Sequence, residues 1–318
     1  MIYIVNDMHG SKKLVDKVIR QMHHLGTDDI LVINGDGAGA RGPIMNNLVR
    51  IFYEVRREES PKNELLSAVR DIIGEEPDIP DAWIYDTVHA GLFRKLLAEK
   101  YEAFNSIMEK EIYEALEVTI RPIGEAAKQC GIRVIYLPGN GEIAPTDFST
   151  KDITREISVI PEHRLFNRIA KDGYFKQFDI EYIYYAKLID DTLLLSTHLL
   201  DLGLGAVLEK MAEAGALNNL ATISETVSRV IAHYPIELDA PKEYFDFWTP
   251  SKTDIERSET LRNLTDLLSL WGSKFYFGHI HRGSDDPRME QYPVTKTFDH
   301  NSIWVKPGEI IDIQANSK

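Results

Sequence analysis

Five short groups of residues in this chain carry side chains able to hold metal ions. In order they are Asp7-x-His9, Gly35-Asp36, Gly139-Asn140, His198 and Gly278-His279-x-His281. Two aspartates, an asparagine and four histidines are the nitrogen and oxygen donors that bind first-row divalent cations, and the glycines leave room for an ion beside the backbone. Taken singly, each residue also has an ordinary structural reading. Asp7 and His9 read as capping residues, Asp36 as a turn residue, Asn140 as a left-handed residue between glycines, and His198 as a histidine satisfied at a strand terminus. What points to a metal centre is the set, because each group follows an apolar run.

Those runs are the elements that must position the donors. Met1 to Val5 is apolar and β-branched and predicts a strand ending in "NDMHG". Ser11 then caps a stretch whose Leu14, Val15, Val18, Ile19, Met22 and Leu25 fall at helical spacing, with Gly26 placed to end the helix. "DDILVINGDG" is a second strand stopping at Gly35-Asp36, so the chain opens as strand, helix and strand, the pattern of a parallel layer. Residues 44–130 read as almost wholly helical, which is too long for a connection and predicts an inserted cap. "IRVIYLPGN" restores the strand pattern, and "EYIYYAKLIDDTLLLSTHLL" predicts a hairpin turning at Asp190-Asp191 whose second strand stops at Thr197-His198. Residues 203–271 read as a second mainly helical insertion, "SKFYFGHIHRG" as a strand and loop, and "NSIWVKPGEIIDIQ" as two short closing strands. The donors therefore share one edge, the ends of strands, where α/β folds build ligand sites.

A chain of 318 residues with 43% hydrophobic content can bury a large core, and the reading is a single domain over 1–318. With 36 Lys+Arg against 50 Asp+Glu, the net charge of -14 repels phosphate backbones and anionic membranes, so general nucleic-acid binding is not expected. One cysteine, Cys130, excludes an internal disulfide framework. No apolar run approaches the ~20 residues of a membrane span, and no secretory signal is visible, so the expectation is a cytoplasmic protein. Oligomeric state is not written in the composition.

The five groups together resemble the signature of the calcineurin-like metallophosphoesterase superfamily: D-x-H, G-D, G-N-H-D/E, H and G-H-x-H. The match runs from Asp7 to His281, and "WVKPGE" at 304–309 looks like the family's closing strand and asparagine-proline-glycine turn, with Lys306 in the asparagine's place. The resemblance implies an α/β fold, a four-layer α/β/β/α sandwich, here with large helical insertions. It implies one metal on Asp7, His9 and His281, another on Asn140, His198 and His279, and Asp36 bridging the two. Manganese is the expected metal, with iron, zinc, nickel or cobalt as alternatives. The implied activity is hydrolysis of a small-molecule phosphoester by a metal-bridging hydroxide. Two cations roughly 3.5–4 Å apart acidify a water and clamp the substrate.

Two departures refine the expectation. Where well-known members have a histidine after the asparagine, often assigned as general acid, this chain has Gly141. General acid catalysis is worth about 10²–10⁴-fold, so its loss falls hardest on poor leaving groups and favours a phosphodiester or activated ester over a phosphomonoester. Glu142, His163, His233 and His300 are replacements by residue type alone, and His300 in "TFDHNS" is the first to test. The family's aspartate three residues after the bridging one is here Gly39. Arg41-Gly42-Pro43 resembles the arginine-glycine-proline of the protein-phosphatase branch, which offers Arg41 as a bidentate phosphate contact. The expected catalytic group is thus Asp36, Asn140, Arg41 and His300. The competing readings are a phosphomonoesterase or protein-phosphatase-like enzyme, and a metal-binding scaffold weakened in catalysis.

Overall fold

A computed structural model describes residues 1–38, 101–143, 165–215, 223–236, 252–279, 295–297 and 301–315. Two sheets stack face to face with helices on both outer sides. The first has the order β11-β1-β2-β3-β4, from Ile311–Asp312, Ile2–Val5, Ile30–Asn34, Arg133–Leu137 and Ile180–Tyr182. The second has the order β5-β6-β7-β8-β10-β9, from Ala186–Ile189, Thr192–Leu195, Arg229–Ala232, Lys274–Phe277, Ser302–Val305 and Thr295–Thr297. Parallel pairing runs from β1 to β4 and through β6, β7, β8 and β10, whereas β11, β5 and β9 are antiparallel edges.

Alternation along each strand divides the core into three slabs. Ile4, Val32, Ile135, Leu194, Ile231 and Tyr276 meet between the sheets. Their strand neighbours Leu31, Ile33, Val134 and Tyr136 face outward under the helices Lys12–Met22 (α1) and Tyr101–Cys130 (α2). On the other side Leu193, Leu195, Val230 and Phe275 lie under helices that bring Val207, Met211, Leu261 and Leu264. Central strands buried on both faces read as continuous apolar runs, which is why most were visible in the sequence. The fold is the expected α/β sandwich with four layers.

Four details differ from the sequence reading. Helix α1 begins as expected, with the Ser11 hydroxyl accepting from the Leu14 amide, but it ends at Met22, and the Gly26 amide instead donates to Asp29. The run "EYIYYAKLI" is split between the sheets: Ile180–Tyr182 joins the first and Ala186–Ile189 the second, so the hairpin at Asp190-Asp191 consists of β5 and β6 alone. The range 203–271 contains β7, a central strand of the second sheet, and is not simply a helical insertion. Of the range 44–130, residues 101–130 form a helix packed beside α1 on the first sheet, a layer of the sandwich itself. Residues 44–100 lie outside the described residues.

Candidate metal centre

Loops at the C-terminal ends of β1, β2, β3, β7 and β8 converge on one edge. The Asp7 amide donates to the Gly35 carbonyl (3.2 Å), the His9 amide to that of Asp36 (2.8 Å), and the Gly35 amide to that of Leu137 (2.8 Å). Across the sheets, the Asn34 side chain donates to the Ala232 carbonyl at 3.0 Å and the His279 amide donates to the Asp7 carboxylate at 3.1 Å. Asp7, His9, Asp36 and His279 all have positive φ, between 45° and 66°. Non-glycine residues hold that conformation only where surrounding contacts impose it, and such positions cluster at functional sites.

Two glycines allow the close approach. A β-carbon on Gly139 would lie 2.5 Å from the Asp36 nitrogen and 2.9 Å from the Gly35 α-carbon. One on Gly278 would press on the Asp7 carboxylate and lie 2.9 Å from the β-carbon of Asn6.

The donors form two groups that share Asp36. In one, Asp7, His9 and Asp36 present ligand atoms within 4.8 Å of one another; in the other, Asp36, His233 and His279 do so. Asn140 belongs with the second, since its Oδ1 lies 3.0 Å from His233 Nε2 and 2.8 Å from His279 Nδ1. The Nδ1 of His233 lies 3.0 Å from the Asn34 carbonyl, which accepts its proton and leaves Nε2 facing the cluster. A carbonyl oxygen and two ring nitrogens directed at one another beside a shared carboxylate are repulsive unless a proton or a cation lies among them. The donor set and its outer hydrogen bonds fit divalent metal ions.

The charges agree. Burial would raise the Asp36 carboxyl, but His233, His9 and the Gly141 amide outweigh it and hold the group well below the usual carboxylate range. Burial would lower His233, yet Asp36 and Asp7 push it up to about 9, so in the metal-free protein a proton balances the carboxylates. Burial holds His279 below the usual imidazole range.

Glu142 is buried behind the centre and does not face it. Its Oε2 accepts from the amides of Asp36 (2.9 Å) and Gly139 (2.7 Å), and its Oε1 from the Ala38 amide (3.1 Å) and the Tyr136 hydroxyl (2.7 Å). Burial and the nearby Asp36 push its pKa up to about 7. The amide of Gly141 donates to Asp36 Oδ1 at 2.6 Å, leaving Oδ2 toward His9 and His233 at 3.6 and 3.7 Å.

Of the expected ligands, Asp7, His9, Asp36, Asn140 and His279 are brought together. His198 is not brought into either group: it is buried with its ring stacked on Tyr184, centroids 5.5 Å apart, and its Nε2 3.4 Å from the Tyr182 hydroxyl. His233, which the sequence offered only as a replacement acid, takes that place. The missing signal was the strand before it, since "VIAHYP" ends a short apolar run in the same way as the other groups. His281, Arg41, His163 and His300 lie outside the described residues.

No family model matches this chain, and neither does any curated protein. Among solved structures it is similar to a phosphopantetheinyl hydrolase from Mycobacterium tuberculosis, at 11% identity and a TM-score of 0.33, over 96% of this chain and 87% of that one. At that level the two chains share too little to transfer an activity. No helix among the described residues is long and apolar enough to cross a membrane.

Proposed function

We propose that this chain is a metal-dependent phosphoester hydrolase of the metallophosphoesterase type, with a dinuclear centre and a preference for phosphodiesters over phosphomonoesters. The observation that carries this reading is the sharing of buried Asp36 between two separate donor groups at the strand ends. Asp7, His9 and Asp36 would hold one divalent cation, with His281 as the further donor that the family resemblance implies. Asp36, Asn140, His233 and His279 would hold the other, manganese being the first metal to test. Two cations so held would supply an acidified water as nucleophile and positive charge for the phosphoryl oxygens.

The chain's own groups do the positioning. Asp36 sets its carboxylate between the groups because the Gly141 amide and the Glu142 clamp hold its loop from behind. Gly141 offers that amide and no side chain, so no proton reaches the leaving oxygen from this position, which favours esters with stable leaving groups.

The test is metal analysis combined with two substrates. Protein reconstituted with Mn²⁺ should hold close to two metals per chain and cleave bis-p-nitrophenyl phosphate faster than p-nitrophenyl phosphate. A reversed ratio would favour the phosphomonoesterase reading, and fully metallated protein that cleaves neither ester overturns the proposal.

A further inference from the structure

His279 meets a polar atom at each ring nitrogen. Nδ1 faces Asn140 Oδ1 at 2.8 Å, on the side of the metal centre, and Nε2 lies 3.2 Å from Asp254 Oδ1 on the other. Asp254 comes from the first turn of Lys252–Leu267, a helix that supplies no donor to either group. Its carboxylate is only 13% exposed.

The polar chain continues behind it. The Tyr234 hydroxyl donates to Asp254 Oδ1 at 3.0 Å, and Arg257 Nη1 donates to the Tyr234 oxygen at 2.6 Å. Arg257 Nε and Nη2 donate to Asp201 at 2.5 and 3.2 Å. The Tyr234 ring leans on His279 with centroids 4.1 Å apart, and the Arg257 guanidinium lies over the Tyr234 ring, 5.2 Å from its centroid. A carboxylate beside one face of an imidazole complements a cation bound to the far side of the ring.

We infer that Asp254 is a positioning residue for the half of the centre built on His233 and His279. Its Oδ1 lies 3.2 Å from His279 Nε2, placed to take that nitrogen's proton when Nδ1, which faces Asn140, binds a cation, and so to increase the donor strength of Nδ1. Tyr234 and Arg257 hold the carboxylate in place. Outer carboxylates of this kind change metal affinity by about 10–100-fold. The inference rests on the metal-centre reading above, and its test separates the two.

The first measurement is on wild-type protein loaded with diamagnetic Zn²⁺: long-range proton–nitrogen NMR of the histidine rings, with the His279 signals assigned by their loss in His279→Gln. The expected result is a proton on Nε2 and none on Nδ1; the opposite tautomer overturns the inference whatever any variant does. The second is Mn²⁺ titration of apo wild type and Asp254→Asn. The variant should bind one Mn²⁺ with wild-type affinity and the second about 10–100-fold more weakly. If wild type binds two ions and Asp254→Asn binds both equally well, the inference fails and the metal centre stands. If wild type binds none, the metal centre itself fails.

Discussion

His233 and His198 follow neighbouring strands of one sheet, and their different fates come from a difference of two residues. His233 is the first residue past β7, so its ring leaves the strand end toward the cluster. His198 is the third past β6, inside the helical turn Thr197–Leu200, and its ring falls among the tyrosines. His233→Ala should therefore remove one Mn²⁺ per chain and lower diesterase activity by at least about 100-fold. His198→Ala should keep both ions and lower stability, read as a fall in Tm of the apo protein. The reverse pattern would return the ligand role to His198. At Glu142 the four accepted hydrogen bonds need a carboxylate, because an amide has one acceptor oxygen and turns its NH₂ on a backbone N–H. Glu142→Gln should cost about 2–3 kcal/mol of unfolding free energy in chelator. A midpoint unchanged in urea would show that the clamp is dispensable.

Among the elements, β7 is the one on which the sheet and the site both depend. It is four residues long, and an apolar run of that length does not distinguish a strand from a buried turn of helix. Its register against β6 and β8 decides its identity, and those contacts are distant in sequence. The hairpin of β5 and β6 helps to lock it: Arg229 Nη1 donates to both oxygens of Asp191 at 2.6 Å, and the Ser228 hydroxyl also reaches that carboxylate. Burial would raise the Asp191 carboxyl, but the Ser228 and Arg229 contacts outweigh it and hold it below the usual range. A folded-state pKa below the unfolded one stabilises above the unfolded value and is lost as pH falls through the folded one. The stability difference between wild type and Asp191→Asn should thus be present at neutral pH and vanish on acidification below about pH 4. Urea unfolding at both pH values checks it; a difference independent of pH would exclude the ion pair as its source.

For the molecule as a whole, the proposed metal would compete with a proton for one place. With His233 near 9 in the metal-free protein, an ion taking Nε2 must displace a proton at neutral pH. Mn²⁺ affinity should rise about tenfold per pH unit between about pH 7 and 8 and level off above about 9. Titrations in buffers of different ionisation enthalpy should show the released proton, and an affinity flat across that range would place His233 outside the metal's coordination. Ligand linkage would also make the proposed metal part of the fold's stability, by about 2.7 kcal/mol at a hundred times its dissociation constant, so a chelator should lower Tm.

Most of the strands and five residues of the candidate centre, Asp7, His9, Asp36, Asn140 and His279, were readable from local pattern: apolar runs of strand period, each ended by a glycine and a polar residue. That works because a strand buried on both faces and a loop that must pass close to an ion both constrain residue type locally. What only the tertiary structure decided was which sheet each short run joins, that His233 and not His198 meets Asn140, and that Asp254 stands behind His279. Those relations join residues far apart in sequence, and they depend on which strand lies beside which. No local pattern encodes that order; it emerges when the two sheets close on their shared core.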